Sequence, residues 1–422
     1  MTSEPDIVII GAGAAGIGAA RRLAGSGLST IVLEALPRPG GRGFTRQISG
    51  MAIDLGCGWL HSADRNPWVG IAEELGIVVD RRRSAWGSQY RELGFPPSDH
   101  IAAQTEFGAW SERIIDAPPA SDIAAEALDP NGRWTNYLQA LSGYISGDEL
   151  ERISAKDYAA YDEASTEYNW RAPAGYGALI TAAIPQGQAL HLSTRVESIG
   201  LDGSRVTLET SAGTLRPRAV IVTCSTNILS GDTIRWPLAL DPWREAACRL
   251  PLGNNEKIYL EINGKNPFEP ETHVIGDPRD AATGSYYIMP LGLPVIECFL
   301  GGAGARKAAA DGAAAAYERA TDQIVNLFGS SVRSNLKPLA ASDWARTASI
   351  GGGYSHALPA QREARGILAR PFDNRLFFAG EATHATDFST AHGAYKSGRR
   401  AAEEAIAALT AGASGISGAV SG

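Results

Sequence analysis

The run Ile7-Val8-Ile9-Ile10, followed at once by Gly11-x-Gly13-x-x-Gly16, constrains this chain more than any other feature in it. A short β-branched strand, a glycine turn and an Ala-rich segment from Ala14 to Ala24 predict strand, turn and helix. A second strand over 30–34 then closes a βαβ unit. With no side chains at Gly11, Gly13 and Gly16, the backbone can approach a pyrophosphate at the start of the helix. Glu34 ends the second strand, where an acidic side chain can accept hydrogen bonds from an adenosine ribose. The pattern predicts dinucleotide binding but does not separate NAD from FAD.

A chain of 422 residues exceeds one ordinary core, so two packed domains are expected. Hydrophobic residues make up 44% and charged residues 20%, close to globular averages. The formal charge of −8 and the lack of a long basic run argue against a nucleic-acid partner. The start leads straight into a strand without a basic, apolar leader, and no apolar run of about 20 residues follows. A cytoplasmic protein with no membrane partner is therefore expected. Cys57, Cys224, Cys248 and Cys298 are scattered without a C-x-x-C pair, which predicts buried free thiols. The seven histidines lack the i, i+4 spacing that puts two ligands on one helical face, and no metal is expected.

Beyond the opening unit, Pro37, Pro39, Gly40 and Gly41 mark a turn ending at Arg42, before a segment reaching Asp54 and the loop at 56–58. Residues 62–184 read as helical, with Trp86, Tyr90, Trp110, Tyr137, Tyr144 and Trp170 among charged residues. Strand signals return at 189–192, 205–210, 214–215 and 219–224. Residues 256–262 and 284–300 alternate like antiparallel strands, 306–328 read as one Ala-rich helix, and 339–344 as a further strand. The strand-then-helix order returns at 375–380 and 391–409. The expected division is a discontinuous dinucleotide domain (1–61, 185–250 and 370–410), a substrate domain (62–184 and 251–369) and a mobile coil at 411–422.

Gly40-Gly41-Arg42 resembles the G-G-R of the flavin-containing amine oxidase superfamily (monoamine oxidase, polyamine oxidase and histone demethylase-like). Leu376-Phe377-Phe378-Ala379-Gly380-Glu381, with Ser389-Thr390-Ala391-His392-Gly393-Ala394 and Ser397-Gly398, is similar to that family's terminal FAD segment. The resemblance implies that Arg42 lies near the FAD phosphates and that Glu381 faces the ribityl or pyrophosphate region. It also implies cofactor contacts from Gly41, Gly58, Trp59, Val196, Gly380 and Ala391. Thr390 can cap the following helix, whose positive end stabilises negative charge on a reduced flavin ring.

Leu252-Gly253-Asn254-Asn255-Glu256-Lys257 resembles the segment whose lysine holds a water at flavin N5, and Asp54-Leu55-Gly56-Cys57-Gly58-Trp59-Leu60-His61 the loop that brings a tryptophan and a histidine to the flavin. Trp344 with Gly352-Gly353-Tyr354-Ser355 resembles the segment that supplies an aromatic wall, and Tyr354 can hold an amine by ring electrostatics. Gly353 stands where the covalent-flavin members carry cysteine, which implies non-covalent FAD; Thr390 stands where those enzymes have a second cage tyrosine.

The implied fold is α/β: a doubly wound FAD domain interrupted by a substrate domain of helices and a mixed sheet, with the active site at their junction. The implied activity is oxidation of a small-molecule amine to an imine, then a carbonyl product, with dioxygen reduced to hydrogen peroxide. An L-amino-acid oxidase or a desaturase of the same fold is an alternative, which would need an arginine for a substrate carboxylate. From other classes come a non-catalytic flavin-binding scaffold and an NAD-dependent dehydrogenase, the latter leaving the C-terminal motif unused. A homodimer is left open.

Overall fold

The computed structural model describes residues 4–417, with side chains through residue 411. Ile7–Ile10 is buried at all four positions because it is the middle strand of a five-stranded parallel sheet. The order is Leu376–Phe378, Ala219–Val222, Ile7–Ile10, Thr30–Leu33, Ala189–His191, and every neighbour pair is parallel. A strand covered on both faces has no polar side to show, which explains its uninterrupted apolar sequence.

The helix Ala14–Leu23 packs along the last helix, Ala391–Ser417, through small residues. A Cβ on Gly18 would sit 2.5 Å from the Tyr395 carbonyl oxygen, and one on Gly398 1.9 Å from that of Ala15. Glycine is what lets the N-terminal and C-terminal segments meet on one face of the sheet.

A second five-stranded sheet is antiparallel, in the order Thr272–Ile275, Ser285–Ile288, Val295–Gly301, Asn255–Ile262, Leu336–Ala341. Its core includes Ile258, Leu260, Val274, Tyr286 and Ile296, packed against Ala305, Ala320 and Ile324 of two helices. The helices Pro97–Asp116, Thr135–Ser146 and Ala155–Ala164 share another core around Trp110, Trp134, Tyr137 and Tyr158.

Several local expectations change. The helix expected over 306–328 is two helices, Gly302–Asp311 and Ala313–Phe328, broken at Gly312, whose φ of +85° ends one and opens the next. The strand expected over 339–344 runs Leu336–Ala341, leaving Trp344 in the loop beyond it. Thr272–Ile275 and the hairpin Thr45–Ile48 with Met51–Asp54 were not foreseen. The last helix continues to Ser417, through part of the stretch expected as coil; residues 418–422 lie outside the described residues. Of the four free thiols, Cys298 is buried but Cys248 is exposed at the end of Asp241–Cys248, contrary to expectation. Among the described residues, no helix is long and apolar enough to cross a membrane.

Candidate active site

A cavity of about 1080 Å³ opens where the carboxyl ends of the parallel strands meet the second sheet. Ile10, Leu33, Thr223 and Gly380 bring the strand ends to its wall, and Lys257, Glu297 and Phe299 bring the antiparallel sheet. A crevice at strand carboxyl ends is where open α/β sheets bind ligands.

Gly11, Gly13, Glu34, Gly41 and Arg42 line one half. Gly11 has a φ of +104°, and a Cβ there would lie 2.5 Å from Thr223 Oγ1. A Cβ on Gly41 would lie 3.2 Å from the Gly13 Cα, so two glycine turns close on each other. The helix that follows Gly13 has no side-chain cap, which leaves its first amides for an anion. Glu34 is buried, with one carboxylate oxygen accepting the Ala12 amide at 2.8 Å and the other that of Leu36 at 2.9 Å. Burial pushes its carboxyl up despite those donors. A buried acid fixed by its own backbone at a cavity wall fits a pair of ribose hydroxyls. Val196 and Ala391 line the same cavity. The residues present therefore fit FAD: an anion cradle, a ribose acceptor and a large chamber beyond.

Gly16 departs from the expectation for the glycine turn. It is absent from the cavity wall, and a Cβ there would sit 1.9 Å from the Gly11 carbonyl oxygen, so its role is to let the helix pack on the strand.

Glu381 joins the chain's two ends. Arg42 reaches it at 3.1 Å, and Arg42 also donates to the Gly353 carbonyl at 2.5 Å. Ser355 donates to the same carboxylate through its amide (3.1 Å) and hydroxyl (2.6 Å), and the Ser389 amide at 2.8 Å. Burial alone would raise this carboxyl, but Arg42 and the Ser355 and Ser389 donors hold it below its ordinary range. Thr390 caps the last helix, its Oγ1 accepting the Gly393 amide at 3.0 Å, and Ala391 starts that helix at the cavity.

The other half is aromatic. Trp59 stands 4.2 Å from the Trp86 ring and 5.5 Å from that of Tyr287. His61 stacks on Trp86 and shares a 2.7 Å hydrogen bond with the Asn169 side chain; burial is the main force driving its pKa down to about 4. Trp344 donates its indole N–H to the Leu55 carbonyl at 3.0 Å, and Tyr354 donates its hydroxyl to the Tyr144 carbonyl. Lys257 is buried between the halves, 2.7 Å from Glu297 and 3.1 Å from the Asp54 carbonyl, and a Cβ on Gly58 would lie 3.0 Å from its Nζ.

Lys257, Tyr354, Trp344, His61 and Thr390, far apart in the chain, thus line one cavity. Glu297 and Asn169 were missed. Glu297 sits opposite Tyr259 in the strand register, on the same face as Lys257, and that register is not written in either strand alone. Among the described residues, no group of three or more His, Cys, Asp or Glu could hold a metal ion.

The Flavin containing amine oxidoreductase family model matches residues 99–406, and an NAD(P)-binding Rossmann-like domain model matches residues 9–75. The chain is 27% identical to Polyamine oxidase 3 of Oryza sativa subsp. japonica, over 95% of this chain and 89% of that protein. It is 26% identical to Polyamine oxidase 2 of Arabidopsis thaliana, over 96% and 88%. Two solved structures share the fold: cyclohexylamine oxidase from Brevibacterium oxydans IH-35A, with TM-score 0.74, 18% identity and 97% and 100% of the two chains covered, and putrescine oxidase bound to putrescine, with TM-score 0.73, 19% identity and 96% and 99% covered. The glycine cradle, the Glu381 junction and the aromatic chamber accord with the family match, and the chain belongs to the flavin-containing amine oxidoreductases.

Proposed function

We propose that this flavin amine oxidase removes a hydride from the carbon beside a neutral amine nitrogen and delivers the electrons to dioxygen. In balance, an amine, dioxygen and water give a carbonyl compound, ammonia or a smaller amine, and hydrogen peroxide, with the imine released to hydrolysis. The observation that carries this reading is the single cavity that joins the nucleotide cradle to an aromatic chamber, with Lys257 between them. When bound there, FAD supplies the two-electron acceptor, so no side chain need act as a nucleophile.

In this reading, residues 1–61, 185–250 and 370–410 form the FAD domain, and residues 62–184 and 251–369 the substrate domain. Gly11, Gly13, Glu34, Gly41, Arg42, Gly58, Val196, Gly380, Glu381 and Ala391 hold the cofactor, and Trp59 reaches it from the aromatic half. Attachment is non-covalent: Gly353 offers no nucleophile, and burial pushes the thiols of the lining residues Cys57 and Cys224 up to about 12, so neither is a thiolate at neutral pH. Trp344 and Tyr354 wall the amine and keep water from it. His61, neutral above about pH 5, adds no positive charge to repel a protonated amine. Lys257, its charge balanced by Glu297, holds a water and favours electron delivery to dioxygen.

An L-amino-acid oxidase is disfavoured because the cationic residues of the cavity wall are Arg42, Arg195 and Lys257. Arg42 and Lys257 are engaged by Glu381 and Glu297, and Arg195 lies beside Val196, near the end of the nucleotide half. The test is aerobic turnover of an amine panel scored by peroxide release, alongside anaerobic bleaching of the flavin. One peroxide per carbonyl product is expected. Bleaching by amines without peroxide in air would replace the oxidase by a dehydrogenase, and no bleaching by any amine would end the reading.

A further inference from the structure

Five carboxylates line the cavity, and the one on the amine side without a cationic partner, Asp162, is exposed to solvent, so none is both buried and free there. Glu34 and Glu381 belong to the nucleotide half, bonded as described. Glu197 stands on the strand Val196–Gly200, with Arg195 3.7 Å away. Glu297 is engaged by Lys257 at 2.7 Å. Asp162 is exposed on the helix Ala155–Ala164, where it accepts a hydrogen bond from Ser111.

What remains of the amine half is mainly rings. Trp86, Phe107, Tyr137, Tyr144, Tyr158 and Phe299 are on its wall. The Tyr144 hydroxyl donates to the Thr283 carbonyl at 2.8 Å. The ring nitrogens of His273 face Ser285 Oγ at 2.8 Å and the Ser88 carbonyl at 3.3 Å.

We propose that the substrate is an apolar monoamine with a ring or long hydrocarbon body, and that diamines, polyamines and amino acids are disfavoured by the lack of a buried free countercharge in the amine half. The inference rests on the amine-oxidation reading and narrows it. A lone amine enters such a chamber by shedding its proton to water and burying its hydrocarbon against rings. A diamine whose second ammonium is drawn inside must also desolvate or deprotonate it with no buried free carboxylate to meet it. An amino acid brings a carboxylate to a wall whose buried cation, Lys257, is already paired.

Matched pairs differing by one charged group test this on the FAD-loaded enzyme: hexylamine against hexamethylenediamine, and phenethylamine against L-phenylalanine. The reading is the second-order rate of anaerobic flavin reduction in stopped flow. Each monoamine should exceed its partner by at least about tenfold, the scale of an uncompensated buried charge. A diamine or amino acid that reduces the flavin as fast as its partner overturns the inference while leaving amine oxidation intact. Failure of all four compounds, with a simple aromatic and an alicyclic monoamine also inactive, removes the amine-oxidation reading itself.

A second variant asks whether the engaged Glu297 is the reason. Lys257→Met releases that carboxylate into the chamber, so the preference for hexylamine over hexamethylenediamine should shrink by at least about threefold, whatever happens to the absolute rates. An unchanged preference in a variant that still holds FAD would overturn the countercharge explanation.

Discussion

The nucleotide half and the amine half of the cavity are held by different kinds of interaction. In the first, glycines let backbone approach backbone, and the two acids, Glu34 and Glu381, are tied to main-chain amides and Arg42. In the second, the wall is side chains: Trp59, Trp86 and Tyr287 in contact, His61 and His273 kept neutral, and one closed ion pair, Lys257 with Glu297. A backbone-built cradle tolerates little change, because a Cβ in the wrong place meets a carbonyl. A chamber of rings can change shape by substitution while the fold stays put. Under the proposed function the cofactor occupies the rigid half and the amine the other.

The sharpest way to break this contrast is to remove an acid from the rigid half. Glu381→Ala leaves Arg42 and the Ser355 and Ser389 amides without their acceptor, at a cost of about 3–5 kcal/mol in stability. Glu34→Ala should instead weaken FAD binding by about 1.5–3 kcal/mol with a smaller effect on the fold, since its removal strands only two amides. Urea unfolding of the apoprotein and FAD titration separate the two. If Glu381→Ala unfolds at the wild-type midpoint, the junction of the chain's ends is not held by that carboxylate.

The same contrast explains how much of the molecule was legible in its sequence. The cradle was readable because its signals are local: Gly11, Gly13 and Glu34 act within one βαβ unit, and Gly380, Glu381 and Thr390 within one strand–turn–helix. Gly16 was readable as part of the pattern but not in its packing role, which appears only when the helix lies on the strand. The chamber was half legible. Resemblance gave Trp59, His61, Lys257, Trp344 and Tyr354, whereas Glu297 and Asn169 meet them through register and chain crossing. Thr272–Ile275 escaped because four residues do not establish a period, and the break at Gly312 because alanine-rich helical sequence runs up to Asp311 and resumes at Ala313.

Acid should loosen the two halves in different pH windows. Burial drives His61 and His273 down to about 4, against about 6.5 in an unfolded chain. Between those values the unfolded state takes up protons that the native state refuses, so stability falls as pH falls, by up to about 1.4 kcal/mol per pH unit for each histidine. Glu381 works lower. Its carboxyl is depressed in the fold, so its contribution is intact above the ordinary carboxylate range and is lost as pH drops through that range toward the folded value. Urea midpoints of wild type and a His61→Asn, His273→Gln double variant, compared at pH 7 and pH 5, test this. The wild type should lose more stability on acidification; equal losses would mean that neither histidine is held neutral by the fold.

The smallest expected effect concerns Tyr354, which lies on the seam between the halves: it lines the cavity, while its neighbour Gly353 accepts from Arg42 and Ser355 binds Glu381. Its hydroxyl is tied to the Tyr144 carbonyl, so only the ring is available to a ligand. If the ring serves the amine, Tyr354→Phe should reduce flavin within about twofold of wild type, since the face is kept and one neutral hydrogen bond is lost. Tyr354→Leu should lose about 0.5–1 kcal/mol, a few-fold in rate, because the reacting amine is neutral and feels the ring only weakly. FAD affinity should stay put in both. Thr390→Tyr supplies a second ring but gives up a hydroxyl that caps the last helix at 3.0 Å, so any gain for slim amines comes with about 1 kcal/mol of lost stability. A Tyr354→Leu enzyme that reduces at the wild-type rate but binds FAD weakly would move the tyrosine into the rigid half and leave the amine to be positioned by Trp344 and His61.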